Sequence, residues 1–445
     1  MGRALDVQSV IDRQPGVRRQ LPLLILGTII MFVDGFDIFM LGKIAPAVAS
    51  GFGEPATRLT IVFLCQQVGL TIGSFVISPL SDRFGRKTML LWCAAIFGLF
   101  ALATVAAQSL VQVAVLQGIA GLFLAGVIPN ATTLLTEYAP PSRRATFVSI
   151  AFTGYTAGGA AGAFVIIWLL KDYGWQSGFW IGGIVPLLFV PLFLFLSHES
   201  LQFRARRNPQ DPKIERTLRW LEPGISLDGV TEYTVGPGTQ KPARRGVASI
   251  FTQGRAPLTL LLWCAYFLAL GTITLLASWM ATFFNVRGGI SLERYAAFSL
   301  LSYVGGLAGT TTVGFLMDRF RPVRLLMILF VIDAIAIAML GMVPFGSPVF
   351  VLLLIIWGYC QAGGQGGINA LCAQAYPTEI RSTGVGWAFG LGRMGGIFAP
   401  TLGGFALARQ FSLQECFILV AVLPLLVTAT LFGIGRMLKQ GKFGK

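Results

Sequence analysis

The chain has 445 residues, of which 55% are hydrophobic and only 12% charged, and it carries a formal net charge of +15. So little polar side chain cannot coat a water-soluble globule of this length, and so much apolar length exceeds what one buried core holds, which leaves a membrane protein. With one histidine, His198, and six cysteines scattered through apolar runs without Cys-x-x-Cys spacing, the sequence speaks against a metal site, disulfides or an embedded enzyme, and no cofactor is expected.

Met1 to Gln20 is charged and lacks the apolar stretch and cleavage site of a signal peptide, so the first apolar run is expected to stay in the membrane. Runs of about 20 apolar residues, the length that crosses a bilayer as a helix, then follow one another twelve times. The first, Leu21 to Ala49, contains Asp34-Gly35-Phe36-Asp37 and Lys43. The second, Leu59 to Leu80, carries Gln66 and Gln67 and ends in Ser81-Asp82-Arg83-Phe84-Gly85-Arg86-Lys87. Met89 to Ala107 is third, and Leu110 to Leu135, with Gln117 and Asn130, is fourth. Arg144 opens the fifth, Ala145 to Leu170, which holds Tyr155 and Gly158-Gly159, and Ser177 to Ser197 is the sixth. A polar segment from His198 to Ala256, rich in Pro, Arg, Gly and Asp, reads as a linker. Beyond it come Pro257 to Phe284, with Tyr266 and Trp279; Tyr295 to Leu316, with Tyr303; and Val323 to Val343, with Asp333. Pro348 to Tyr376, with Gln361, Gln365 and Asn369, Thr383 to Leu407, with Trp387 and Arg393, and Leu413 to Gly435 complete the set.

The two sixes echo each other. Asp82-Arg83-Phe84 returns as Asp318-Arg319-Phe320, an offset of 236 residues. Arg144-Ala145-Thr146 returns as Arg381-Ser382-Thr383 and Gly158-Gly159 as Gly395-Gly396, both offset by 237. This repeat predicts an all-α membrane protein of twelve transmembrane helices in two pseudo-symmetric six-helix bundles, residues 1–197 and 257–445, joined by a central linker, 198–256. Lys and Arg number 27 in the segments on the side of the N-terminus and five on the other, with Lys43 and Arg393 inside runs. That asymmetry predicts cytoplasmic termini and a cytoplasmic linker, and the absence of a basic soluble domain argues against nucleic acid as partner.

Pro79 to Lys87 resembles the loop signature of the major facilitator superfamily, with a degenerate copy near Asp318. More narrowly, Asp34-Gly35-Phe36-Asp37 with Gly42 and Ala45-Pro46, Pro129-Asn130-Ala131 with Glu137-Tyr138, and Tyr376-Pro377-Thr378 through Gly384-Val385-Gly386-Trp387 to Arg393 are similar to the bacterial aromatic acid:proton symporters. The resemblance covers the whole transmembrane chain but not the linker. It implies a monomeric carrier in the bacterial cytoplasmic membrane, in contact with lipid, that brings a benzoate-type acid such as 4-hydroxybenzoate or protocatechuate inward with protons. Gln117 departs from the family, standing where many members have an arginine, as does the charge of Lys43. A carrier of a non-aromatic organic acid and an exporter are the alternatives.

An ionisable group at bilayer depth costs about 2.5–3.5 kcal/mol on insertion scales, so such groups mark ion, proton or substrate paths. Asp34 and Asp37, three apart on a helix, lie about 5–6 Å apart at Cβ, too close for both to ionise freely in a dry setting, and are the expected proton-coupling pair. Capping of freed backbone near Gly35, or a fixed pair with an arginine, is the structural alternative. Arg393, with glycines beside it, offers a planar fork to a substrate carboxylate or to one of the aspartates. Gln361, Gln365 and Asn369 form a polar stripe at i, i+4 and i+8, expected with Asn130, Tyr155, Tyr303 and Trp387 to line the substrate site, or else to glue helices together. Lys43, about 9 Å beyond Asp37 along the helix, either snorkels to the outer interface, the favoured reading, or faces the cavity. Asp82, Arg83, Gly85, Arg86 and Lys87, with Glu137 and Arg144 and with Glu379 and Arg381 bracing nearby span ends, are the expected conformational latch, with topology determination alone as the alternative. Asp333 reads as half of a structural pair.

Overall fold

The computed structural model describes residues 3–14, 18–236, 247–252, 254–376 and 380–439. In lipid a backbone must satisfy its own N–H and C=O groups, and the long apolar runs accordingly form helices. After a short strand β1 (Arg3–Asp6) and helix α1 (Val7–Asp12), the first half consists of α2 (Leu21–Gly51), α3 (Leu59–Phe84), α4 (Arg86–Val105), α5 (Leu110–Leu124), α6 (Val127–Tyr138), α7 (Arg144–Tyr173) and α8 (Gln176–Leu196). The fourth expected span is split into α5 and α6 at Ala125-Gly126, where Pro129 cannot donate to the carbonyl four residues back. The linker holds α9 (Leu201–Arg207), α10 (Pro212–Leu221) and β2 (Val230–Thr234). The second half is α11 (Ala256–Thr282), α12 (Leu292–Arg319), α13 (Pro322–Leu340), α14 (Pro348–Ala375), α15 (Arg381–Ala408) and α16 (Leu413–Lys439). Among the described residues eleven spans, α5 and α6 counted as one, are long and apolar enough to cross a membrane. The twelfth, α15, has the length, 28 residues, but its glycines and Arg393 dilute its apolarity.

The repeat read from the sequence is built into the packing. Gly69 and Gly73 of α3 cross so close to α5 that a Cβ would strike the carbonyls of Gly118 and Leu122. Gly305 and Gly309 of α12 cross α14 in the same way at Ile355 and Tyr359, 236 and 237 residues further on. Gly158 of α7 against Phe32 of α2 is matched by Gly395 of α15 against Phe267 of α11. Small residues let helix backbones approach where lipid offers no hydrophobic drive to association, which is why glycine marks these crossings.

The halves meet through α2 with α11, α7 with α12 and α3 with α15. We call basal the end that carries the start of α2 and the linker, and distal the other. Contact between halves is tightest distally: a Cβ on Gly42 of α2 would strike the Ala277 carbonyl of α11, and one on Gly404 of α15 would strike Thr60 of α3. Large apolar side chains such as Trp92, Leu188, Phe195, Phe315 and Phe432 lie exposed on the outside, as a lipid-facing surface requires.

The linker is not the bare solvated loop its polar composition suggests. Ile214, Leu218 and Leu221 place an apolar stripe on α10 that buries against Val7 and Ile11 of α1 and Leu201 and Ala205 of α9. β1 pairs in parallel with β2, Gln202 donates to Gln8 at 2.6 Å, and Asp6 accepts from the Gly236 N–H at 2.9 Å. The short apolar spacing was hidden among charges, and the strand pairing joins segments over 220 residues apart, so neither was legible locally.

Candidate functional site

Asp34 and Asp37 both lie inside the protein, 1% and 4% exposed. They are held on α2, which comes so close to α7 at Gly35 that a side chain there would strike the Tyr155 carbonyl. Asp34 lies in the electrostatic field of Arg393 from the opposite half and, more weakly, of Asp37. Tyr155 of α7 shares that field. Among the described residues Asp34 Oδ2 and Arg393 Nε are buried without a hydrogen-bond partner, and the Arg393 guanidinium stands 5.2 Å over the Phe389 ring. Asp37 turns toward α8, its Oδ1 3.6 Å from where a Cβ on Gly182 would stand. One turn beyond Arg393, Gln67 of α3 and Thr274 of α11 converge on Gly396.

Beside this charge cluster lies an aromatic one. Phe39 packs edge-on against Tyr155 at 5.7 Å and against Tyr303 of α12 at 5.9 Å, so three rings join α2, α7 and α12 across the two halves. Lys43, one turn from Phe39, is 5% exposed; its ammonium donates to the Gly159 carbonyl and, at 3.0 Å, to the Tyr303 hydroxyl. Snorkelling is therefore not what Lys43 does. A buried carbonyl and hydroxyl compete with water for the ammonium, and the i, i+4 spacing from Phe39 to Lys43 was the signal for their shared face.

Other expected site residues go elsewhere. Gln361 donates to Asp333 Oδ2 at 2.7 Å, which directs it at α13 within its own half and not into the expected polar stripe; Asp333 is the structural pair, with Gln361 as its partner. Gln365 donates to Asn369 at 3.2 Å, and Asn369 is exposed, which on a membrane-length helix indicates water and not lipid beside it. Asn130 gives its amide to the Gly126 carbonyl of its own chain segment at 2.7 Å, and Gln117 donates to Thr104 of α4 at 3.0 Å. Trp387, 39% exposed, stacks on Trp263 and lies apart from the three-ring cluster.

At the basal end Asp82 pairs with Arg86 at 2.9 Å, and Arg86 reaches Glu137 at 3.5 Å. Glu137 thus braces with Arg86 and not with Arg144, which pairs with Asp12 at 3.7 Å. α6 packs against α4, which begins at Arg86, and this brings Glu137 to that side chain. Gly85 adopts φ +100°, a conformation glycine favours, and has no room for a Cβ because Glu199 fills the space. Glu199, which the sequence did not single out, accepts from the backbone N–H groups of Lys87 at 3.0 Å and Thr88 at 3.3 Å, capping α4. Lys87 donates to the carbonyls of Leu194 and Ser197, both at 2.7 Å, and Arg207 donates to the Arg83 carbonyl at 3.4 Å. Glu379 lies outside the described residues, and of Arg381 only its place at the start of α15 is described.

The profile of the Major Facilitator Superfamily matches residues 27–400, with a second match over 262–438. The chain belongs to this superfamily. Within the superfamily it is 36% identical to the gallate transporter of Pseudomonas putida, over 94% of this chain and 92% of that protein. It is 34% identical to the 4-hydroxybenzoate transporter PcaK of the same organism, over 99% of this chain and 96% of the other. Solved structures share the fold at low identity. A bacterial homolog of the human lysosomal transporter Spinster, inward-facing and unoccupied, gives a TM-score of 0.75 at 16% identity, covering 97% of this chain and 99% of that one. The D-xylose-proton symporter gives 0.71 at 16%, over 93% and 97%. Membership makes the chain a transporter and not an enzyme.

Proposed function

We propose that this carrier imports a benzoate-type aromatic carboxylic acid together with protons across the bacterial cytoplasmic membrane, working as a monomer. The observation that carries the reading is the juxtaposition, midway along the spanning helices and between the halves, of a buried acid on α2, a half-buried arginine on α15 and a cluster of aromatic rings. The names of the relatives, transporters of gallate and 4-hydroxybenzoate, support the choice of an aromatic acid.

In this reading the basal end, with most of the lysines and arginines, is cytoplasmic, and the distal contacts form the closed outer gate. Asp34, with Asp37 beside it, takes a proton from outside; Arg393 then exchanges Asp34 for the substrate carboxylate, whose ring stacks among Phe39, Tyr155 and Tyr303. Neutralising the acid and the guanidinium together lowers the cost of closing a dry cavity around them, so the loaded carrier can pass between its two open forms. Gln67 and Thr274 complete the polar lining, and Gln365 and Asn369 line the cytoplasmic exit. Asp82, Arg83, Gly85, Arg86, Lys87 and Glu137 form the latch, locked inside the first half while the basal end is open, with Glu379 and Arg381 as counterparts in the second. Residues 1–197 and 257–445 are the moving bodies, and the folded part of the linker travels with the first.

The test is uptake of labelled 4-hydroxybenzoate into proteoliposomes under an imposed acid-outside gradient. The reading expects accumulation above that of protein-free liposomes, abolished by a protonophore; equal uptake with and without the gradient contradicts it.

A further inference from the structure

Lys43 is a buried base held by neutral acceptors. Arg393 has Asp34 in its field, so that cation has an internal counter-charge. Among the described residues no carboxylate is within ion-pair reach of Lys43, whose partners are the neutral Gly159 carbonyl and Tyr303 hydroxyl. Its ammonium also stands 4.9 Å from the centroid of the Tyr303 ring. Keeping an ammonium out of water on neutral acceptors alone costs free energy, and a carrier tolerates such a charge when the counter-ion arrives with the cargo.

The position of this charge says what the cargo carries. The ring series Tyr155, Phe39, Tyr303 begins in the field of Arg393 and Asp34 and ends on Lys43. Lys43 thus closes one end of an aromatic cluster that spans both halves, and Arg393 acts electrostatically on Tyr155 at the other.

We propose that Lys43 is a second anion anchor and that the preferred substrate is an aromatic ring bearing acidic groups on opposite carbons, one held by Arg393 and the other by Lys43. This rests on the aromatic-acid reading above and narrows its substrate class. When the distal end opens, α12 moves from α2, the Tyr303 hydroxyl leaves the ammonium, and the incoming second acid group takes its place. A ring with one carboxylate leaves Lys43 on its neutral partners and forgoes one charge-assisted contact.

The experiment compares benzoate, 4-hydroxybenzoate and benzene-1,4-dicarboxylate as labelled cargo in proteoliposomes under an acid-outside gradient. For the natural chain, KM for the dicarboxylate is expected to lie about tenfold or more below that for benzoate, the size of one charge-assisted hydrogen bond. Lys43→Arg should keep that ratio. Lys43→Met should bring it close to one while still moving benzoate, and Tyr303→Phe, which removes the hydroxyl but not the ammonium, should leave the ratio in place. Transport of benzoate without preference for the dicarboxylate, which reads in the natural chain without any variant, overturns the anchor and leaves the aromatic-acid reading standing. A ratio unchanged in Lys43→Met also overturns it. Failure to move any of the three acids overturns both.

Discussion

At the scale of single residues, the account turns on a few charges placed where lipid-depth solvation is poor. Arg393 is asked to hold a carboxylate in a bidentate fork, and a charge-assisted hydrogen bond contributes about 1.5–3 kcal/mol. Arg393→Ala should accordingly lower kcat/KM for uptake about 100-fold at unchanged membrane abundance, and Arg393→Lys should recover only part of it, because an ammonium lacks the fork. Measured initial rates at several substrate concentrations check this, and full activity in Arg393→Lys would remove the bidentate role. Which charges stand inside apolar runs was legible, and in the fold Asp34 and Asp37 lie buried while Arg393 is half-buried with its Nε enclosed. Where they point was not. Asp37 turns to α8, Gln361 is taken by Asp333 and Lys43 by Tyr303, and each of those partners lies on another helix whose rotation a single run of sequence does not contain.

At the scale of elements, the close crossings and the cap of α4 do the positioning. Gly42 sits where α2 meets α11, and any side chain there collides with the Ala277 carbonyl, so Gly42→Val should disfavour distal closure by about 1–3 kcal/mol. Spin labels on the distal ends of α2 and α11 should then report a larger separated population than in the natural chain; an unchanged distance distribution would mean that the crossing is not part of the gate. Glu199→Ala leaves two N–H groups of α4 without their acceptor and should cost about 1–3 kcal/mol, read as a lower Tm of the solubilised protein. The neighbouring His198 stacks on Trp220 at 4.5 Å, and burial, with the positive charges of Lys87, Arg204 and Arg216, holds its imidazole below the usual range. The unfolded chain therefore binds that proton more readily, so stability should fall as pH drops through about 6.5, and His198→Gln should flatten that part of the Tm profile measured between about pH 7.5 and 5.5. Spans were readable as elements because apolar length alone specifies them. The folded cap was not, since its core is assembled from β1, α1, α9 and α10, each too short to show a pattern.

At the scale of the whole molecule, the internal repeat explains why an acid of the first half and a base of the second share one field. The offset read from Asp82 and Asp318 reappears in the glycine crossings of α3 on α5 and α12 on α14, so the two bundles are built alike and their seam falls between equivalent helices. α2 and α15 face that seam from opposite sides, which brings Arg393 into the field of Asp34, and the same seam carries the ring cluster and Lys43. The architecture was therefore the most legible level, because repetition and apolar length are properties of the whole string. Proton coupling at Asp34 is a property of the whole cycle and is read by a transport measurement. The most direct one follows 4-hydroxybenzoate in proteoliposomes containing either the natural chain or Asp34→Asn, under an acid-outside gradient with and without protonophore. The account expects the natural chain to accumulate the acid until the protonophore is added, and Asp34→Asn to exchange it down its own gradient without accumulating it. Accumulation by Asp34→Asn equal to that of the natural chain would contradict the account.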